Sequence, residues 1–235
     1  MDEELATSAI AYIKQNKKLL YESFCDLTSF PPSERPFTFF MAGSPGAGKT
    51  EVSKALIKQL NATNSDSKIV RIDADEVRNI LPQYKGANAH LVQGAASIGV
   101  EKLIDHVMNK NQNAIIDGTF AHYPTSRKNI ERSLVHNRQV EIYYIYQDPK
   151  IAWDFTRKRE KLEGRNIRKD DFIYAFFSAQ ENVNKAKEEF GKQITLNLII
   201  KDIRNNIDKT KLNIDRVDHH LSTEYNKDIL KDILI

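Results

Sequence analysis

The sequence predicts an α/β protein with a mostly parallel, five-stranded sheet and helices on both faces. Three observations carry this. Apolar runs of strand length stand at 37–42, 113–116, 140–146 and 195–200. Segments of helical period separate them, and a glycine-rich loop joins the first run to a helix. Strands that alternate with helices pair in parallel, because each crossover helix returns the chain to the same end of the sheet. A chain of 235 residues holds one large or two small domains.

The first 36 residues read as a helical extension with a proline-rich linker. Ala6, Ile10, Ile13, Leu20 and Phe24 recur at near-helical steps over 4–25, with one longer step across the polar stretch 15–18. Pro31, Pro32 and Pro36 then forbid a helix or central strand. The helix serves either as a packing element or as a regulatory, partner-binding one. The main domain is expected over 37–235. Its first strand, 37–42, leads into a helix over 49–60. A strand over 67–72 carries Val70 and Ile72, and a helix over 89–110 puts Val92, Ala96, Val100, Leu103 and Val107 on one face. That helix also contains Gly94-Ala95-Ala96 and Gly99. A buried strand at 113–116, a helix over 125–136 and a Tyr- and Ile-rich strand at 140–146 follow. Helices are predicted over 149–162 and 169–190, and a fifth strand over 195–200. From about 203 the chain is polar, with Asn205-Asn206 marking a turn between two β-like runs, and Ser222 is placed to cap a last helix to about 233.

Composition narrows the class. Hydrophobic residues make up 40% and charged residues 29%, as in an ordinary globular protein. Thirty-five Lys and Arg against 32 Asp and Glu leave +3, too small an excess to mark a nucleic-acid partner. A single cysteine, Cys25, excludes an intrachain disulfide framework. No stretch approaches the roughly 20 apolar residues of a membrane span, and the acidic start MDEELATS lacks the basic-then-apolar pattern of a signal peptide. A cytoplasmic protein with no membrane partner is expected. The six histidines show no metal-ligand spacing with one another or with Cys25. Trp153, Phe155, Tyr174, Phe176 and Phe177 read as core.

The chemistry concentrates in three segments. Gly43-Ser44-Pro45-Gly46-Ala47-Gly48-Lys49-Thr50 fits the phosphate-loop pattern G-x-x-x-x-G-K-[ST], with an apolar strand before it and a helix after. Glycines let the backbone curl so that several N–H groups point at one anion, and the helix start adds its positive dipole end. Lys49 is expected on the β- and γ-phosphates and the Thr50 hydroxyl on Mg²⁺, so ATP and Mg²⁺ are the implied cofactors. Two other strands end in acids, at Asp73-Ala74-Asp75 and at Asp117-Gly118-Thr119. Ligands of such sheets sit beyond the carboxyl ends of the strands. A carboxylate there takes a hydroxyl proton or holds the metal, and helix capping is the competing role for Asp73 and Asp75. The third segment, 156–169, packs seven basic residues into fourteen around Gly164. Arginines on a mobile loop clamp the charge that builds on a phosphoryl group in transfer. Arg159 and Arg165 are the first candidates, with Arg157 and Arg168 open. A polynucleotide phosphate is the competing ligand for the same charge.

Together these residues resemble the zeta toxin family of P-loop kinases, over roughly 37–190. Ile72-Asp73-Ala74-Asp75 followed by Pro82-Gln83-Tyr84 looks like the family's I-D-x-D and P-x-[YF] segments. Ile116-Asp117-Gly118-Thr119 looks like its I-E-G-T, one methylene shorter at the acid. The resemblance implies a P-loop kinase fold and phosphoryl transfer from ATP to a sugar hydroxyl of UDP-N-acetylglucosamine, which starves bacterial wall synthesis. It assigns the base to Asp75, the phosphate clamp to Arg159 and Arg165, and substrate binding to Asp73, Glu101, Asp117 and Thr119. It also implies protein partners of two kinds, an antitoxin or the chain's own N-terminal helix acting in place of one. A kinase of another small molecule or of a polynucleotide 5′ end, and a non-catalytic nucleotide-dependent binding module, are the alternatives.

Overall fold

Apolar strand segments pair side by side in the order β2-β3-β1-β4-β5, all parallel, and a sixth strand joins the β5 edge antiparallel. The computed structural model describes residues 2–63, 68–164, 166–222 and 225–234. The strands are β1 (Phe37–Ala42), β2 (Ile69–Asp73), β3 (Asn113–Asp117), β4 (Gln139–Tyr146), β5 (Thr195–Lys201) and β6 (Ile207–Lys211). Ser67, at which the sequence reading starts the second strand, lies outside the described residues.

Among the described residues the sheet has six strands against the expected five. The additional one is Ile-Asp-Lys-Thr-Lys, exposed at every position, so no buried face marks it as a strand. Asn205, in a left-handed conformation at φ 64°, makes the turn that returns it against β5. Its lysines suit an open edge, where charge discourages pairing with another chain.

Buried on both faces, the central strands alternate their cargo. Phe39 and Met41 of β1 face α3 (Lys49–Thr63) through Val52. Phe40 and Ala42 face the opposite layer, where α6 (Tyr123–Val135) and α8 (Lys169–Phe190) supply Ile130, Ala179 and Val183. The predicted bounds of α8, 169–190, coincide with the observed ones.

A third apolar cluster forms around α5 (Gln93–Asn109), which starts later than the predicted 89 because 86–92 runs through turns. The expected helix over 4–25 is two helices, α1 (Asp2–Gln15) and α2 (Lys17–Phe24). The break falls in the polar stretch, at Asn16, whose backbone N–H and side-chain amide both donate to Tyr12 O, at 3.0 and 2.9 Å. Ala9, Ile13, Leu20 and Cys25 are fully buried with Val70, Ile72, Leu103 and Val107. Gly99 sets the spacing in this layer. A Cβ there would stand 2.6 Å from Val77 Cγ1 and 3.3 Å from Ile13 Cγ1. The glycine therefore lets α1 and the short α4 (Ala74–Asn79) both approach α5, against the usual helix cost of about 1 kcal/mol. At the C-terminus, α9 runs Lys227–Ile233. Its cap is Asn226, accepting from Ile229 N–H at 2.8 Å, and not Ser222 as the sequence suggested.

Candidate active site

The phosphate loop and the candidate acids Asp73, Asp75 and Asp117 gather at the carboxyl ends of β1, β2 and β3. The phosphate loop bridges β1 and α3, with Gly43, Gly46 and Gly48 at φ 137°, 74° and 86°. Two of these glycines are also required by close approach. A Cβ at Gly46 would lie 2.0 Å from Ala152 O of α7 (Pro149–Glu163), and one at Gly43 2.4 Å from Ile145 O of β4. Lys49 Nζ donates to the Gly43 and Ser44 carbonyls at 3.1 and 2.7 Å, which holds the ammonium over its own loop. The exit of β3 docks on the same loop, where Gly43 N–H donates to Thr119 O at 3.1 Å. Phe120 next to it has φ 62°, a strained value for a bulky side chain. Asn182 of α8 steadies that turn by donating to Phe120 O and Ala121 O at 3.0 and 2.9 Å.

Parallel pairing sets Asp73 opposite Asp117. Two like charges at that spacing repel. Arg71, two residues before Asp73 and so on the same face of the strand, lies between them. Its Nη2 donates to Asp73 Oδ2 at 2.6 Å and Asp117 Oδ2 at 2.5 Å, and its Nη1 to Glu76 Oε1 at 2.5 Å. Its Nε donates to Ser53 Oγ at 3.0 Å, and Thr50 Oγ1 is 3.4 Å from Nη2. Burial opposes the Arg71 charge, but Asp117, Asp73 and Glu76 more than offset it and raise its pKa. Asp73 is held above the usual carboxylate range, first by burial and then by Asp75 and Asp117. Asp73 also caps α4, accepting from Asp75 N–H at 2.8 Å.

That cap starts a helix, so Asp75 diverges from Asp73. Its carboxylate meets Arg78 on one oxygen and Arg159 Nη2 on the other, the latter at 3.2 Å. Arg78 is buried and also reaches Gln93 Oε1. The candidate base and a candidate clamp, 84 residues apart in sequence, therefore touch. Arg157 and Arg168 are held locally instead, by Glu160 and Asp171. Arg165 lies outside the described residues. Glu101 sits on the exposed side of α5, bonded to Lys128 of α6 at 2.8 Å, and that lysine holds its carboxyl below the ordinary value. Asp105 and Arg132 repeat the pairing one turn on.

Sequence reasoning missed Arg71, Ser53, Glu76 and Arg78. A partial signal existed for two of them. Arg71 shares a strand face with Asp73, and Ser53 follows Thr50 by three positions on a helix. Among the described residues, no group of three or more metal-ligating side chains forms a ready-made metal site.

The model of the family described as Zeta toxin matches residues 22–216. The chain belongs to the zeta toxin family. Among solved structures, one from a study of the PezAT chromosomal toxin–antitoxin system of Streptococcus pneumoniae aligns with a TM-score of 0.61 at 19% identity, covering 97% of this chain and 87% of that one. The AvrRxo1-ORF1:-ORF2 complex aligns with a TM-score of 0.61 at 12% identity, covering 93% and 70%. The same complex with ATP aligns at 0.59 and 12%, covering 89% and 63%. At these identities the likeness is one of fold, a mixed α/β fold with a mostly parallel sheet. A search of curated proteins finds no match. No helix among the described residues is long and apolar enough to cross a membrane.

Proposed function

We propose that this zeta toxin family member is a kinase that transfers the γ-phosphoryl group of ATP to a sugar hydroxyl of UDP-N-acetylglucosamine, and so blocks bacterial cell-wall synthesis. The observation that carries the reading is the 3.2 Å contact between Asp75 and Arg159 beside the phosphate loop. It brings a carboxylate able to take a hydroxyl proton within reach of a guanidinium able to receive the transferred charge.

In this reading the loop N–H groups from Gly43 to Thr50 bind the phosphates, and Lys49 exchanges its two loop carbonyls for β- and γ-phosphate oxygens. Mg²⁺ would be held by the Thr50 hydroxyl, with Asp73 and Asp117 fixed nearby by Arg71, which already occupies their Oδ2 atoms. When bound, it neutralises charge on the phosphates. Asp75 accepts the proton of the acceptor hydroxyl. That oxygen forms the new bond to the γ-phosphorus, the bond from the γ-phosphorus to the bridging oxygen breaks, and ADP leaves. Arg159 turns from Asp75 to the moving phosphoryl group, joined by Arg165. Asp73, Glu101, Asp117 and Thr119 are assigned to the acceptor side. For Asp117 and Asp73 that role is indirect, through Arg71, and Glu101 must exchange Lys128 for the sugar. An antitoxin that covers this face is the proposed protein partner, in keeping with the toxin–antitoxin system named for the PezAT structure.

The test is transfer of labelled γ-phosphate from ATP to UDP-N-acetylglucosamine. Labelled nucleotide sugar is the expected product. ATP binding without any label on the sugar rejects the acceptor.

A further inference from the structure

Arg71 is the most heavily engaged side chain at the strand ends, and neither the phosphate-loop pattern nor the carboxylate pairs require it. Three carboxylates surround one guanidinium, a formal charge of −2 for the group. The side chains of Arg71, Asp73 and Asp117 are 9%, 13% and 4% exposed, so water screens them little. Asp73 and Asp117 are register partners on adjacent parallel strands, and each turns its Oδ2 to the same nitrogen, Arg71 Nη2. That nitrogen is 3.4 Å from the Thr50 hydroxyl, and Nε reaches Ser53 one helical turn further along α3. The guanidinium thus stands where a cation bridging the two aspartates and the loop threonine has to stand.

We propose that Arg71 is a positioning residue, the standing cation of this site: it offsets part of the charge of Asp73 and Asp117 and fixes them against Thr50, so that a divalent ion enters only together with the nucleotide. Without Arg71 the two facing aspartates become a hard-oxygen pair open to a free divalent cation. With it, the Oδ2 atom of each aspartate is already occupied by Arg71 Nη2. The consequence is an order of events. The protein holds no metal of its own between turnovers, and the acids keep one arrangement whether or not nucleotide is present. This rests on the reading of 43–50 as a nucleotide site, which ATP binding tests separately. The metal arms below are run without nucleotide, so they decide the role of Arg71 even if that reading fails.

The experiment follows Mn²⁺ binding to the full chain by electron paramagnetic resonance, in the absence of nucleotide. Wild type and Arg71→Lys, which keeps the charge, are expected to leave Mn²⁺ free. Arg71→Met is expected to bind Mn²⁺ at least about tenfold more tightly than wild type, because a buried unit of positive charge has gone. Adding Asp117→Asn to it should abolish the gain. A loss of packing alone does not create a metal site that a second carboxylate removal abolishes. If Arg71→Met fails to fold, Asp117→Asn alone decides: unchanged, negligible Mn²⁺ binding relative to wild type supports the proposal. Mn²⁺ bound by wild type and lost in Asp117→Asn overturns it, as does a folded Arg71→Met that gains nothing.

Discussion

Two largely enclosed arginines, Arg138 and Arg71, mark opposite ends of the sheet, and they are satisfied by opposite chemistry. Arg138, at the end where β1, β3 and β4 begin, donates to Thr38 Oγ1 at 2.7 Å and to the Phe37 and Gln112 carbonyls at 2.6 and 2.5 Å. Its partners are neutral, and burial draws its pKa down to about 10. Arg71, at the end where β2 and β3 finish, is surrounded by Asp73, Asp117 and Glu76, and its pKa is raised despite burial. Arg138 joins segments that would otherwise leave carbonyls unpaired, which is a task of folding. Arg71 gathers charges that fold no better for being together, beside a loop built for phosphate. In the proposed reading its acids are gathered for a ligand, and the fold tolerates the cost. The general rule that parallel sheets bind at the carboxyl ends of their strands is visible here in two residues of the same type.

The comparison breaks most sharply if function and stability fail to separate between the two ends. Asp75→Asn keeps the shape of the side chain and removes the base. Transfer should fall by about 10²–10⁴, the range for a general base, while calorimetry shows a smaller loss of stability than for Arg138→Met, because the amide oxygen can still accept from the buried Arg78. Arg138→Met should do the reverse. Leaving buried carbonyls without donors costs about 2–4 kcal/mol, read as a lower urea midpoint, and ATP affinity per folded molecule should not move. Gly99→Ala lies between the two. Its new Cβ presses Val77 of α4 at 2.6 Å, so overpacking of about 1–3 kcal/mol should appear together with slower transfer, because α4 carries Asp75. A stability loss with unchanged turnover would separate α4 from the apolar layer and weaken that link.

The same layer yields a pH prediction. His106 stacks on Tyr21 with ring centroids 4.2 Å apart, and burial, aided by Lys110, lowers its pKa. Folding therefore favours the neutral ring. The stabilisation is complete above the ordinary histidine value of about 6.5 and is lost as pH falls through that value towards the lower folded one. Urea midpoints at about pH 7.5 and about pH 5.5 should differ less in His106→Gln than in wild type. The smallest effect on stability belongs to Glu101→Gln. Its bond to Lys128 is exposed, and such pairs contribute about 0–1 kcal/mol. A large loss of transfer with intact stability is what a direct contact with the acceptor requires.

What the sequence made legible follows the same division. Local patterns were readable: the phosphate loop, the buried strands, and α8 with its bounds. The acids at the ends of β2 and β3 were visible as candidates, because a strand ending in Asp needs no partner to be noticed. Their organiser was not. Arg71 acquires meaning only when β2 lies beside β3 and α3 brings Ser53 and Thr50 within reach, and none of those neighbours is close in sequence except Asp73. Gly99 was noted only as one of the small residues in its helix, since its use is to admit Val77 and Ile13 from two other helices. The turn at Asn205-Asn206 and a β-like run after it were readable, but β6 was not counted in the sheet because a strand exposed at every position has no alternation to detect. The helical break at Asn16 escaped because the polar stretch read as one long step of a single helix.

The central claim is that the strand-end cluster serves phosphoryl transfer to a sugar, with Asp75 as its base. The direct measurement is phosphorus nuclear magnetic resonance of ATP, Mg²⁺ and UDP-N-acetylglucosamine with wild type and with Asp75→Asn. Wild type should give ADP and, in equal amount, a new phosphomonoester on the sugar, and Asp75→Asn should give neither while still binding ATP. ADP and inorganic phosphate in place of the phosphomonoester, or an undiminished phosphomonoester with Asp75→Asn, would contradict the account.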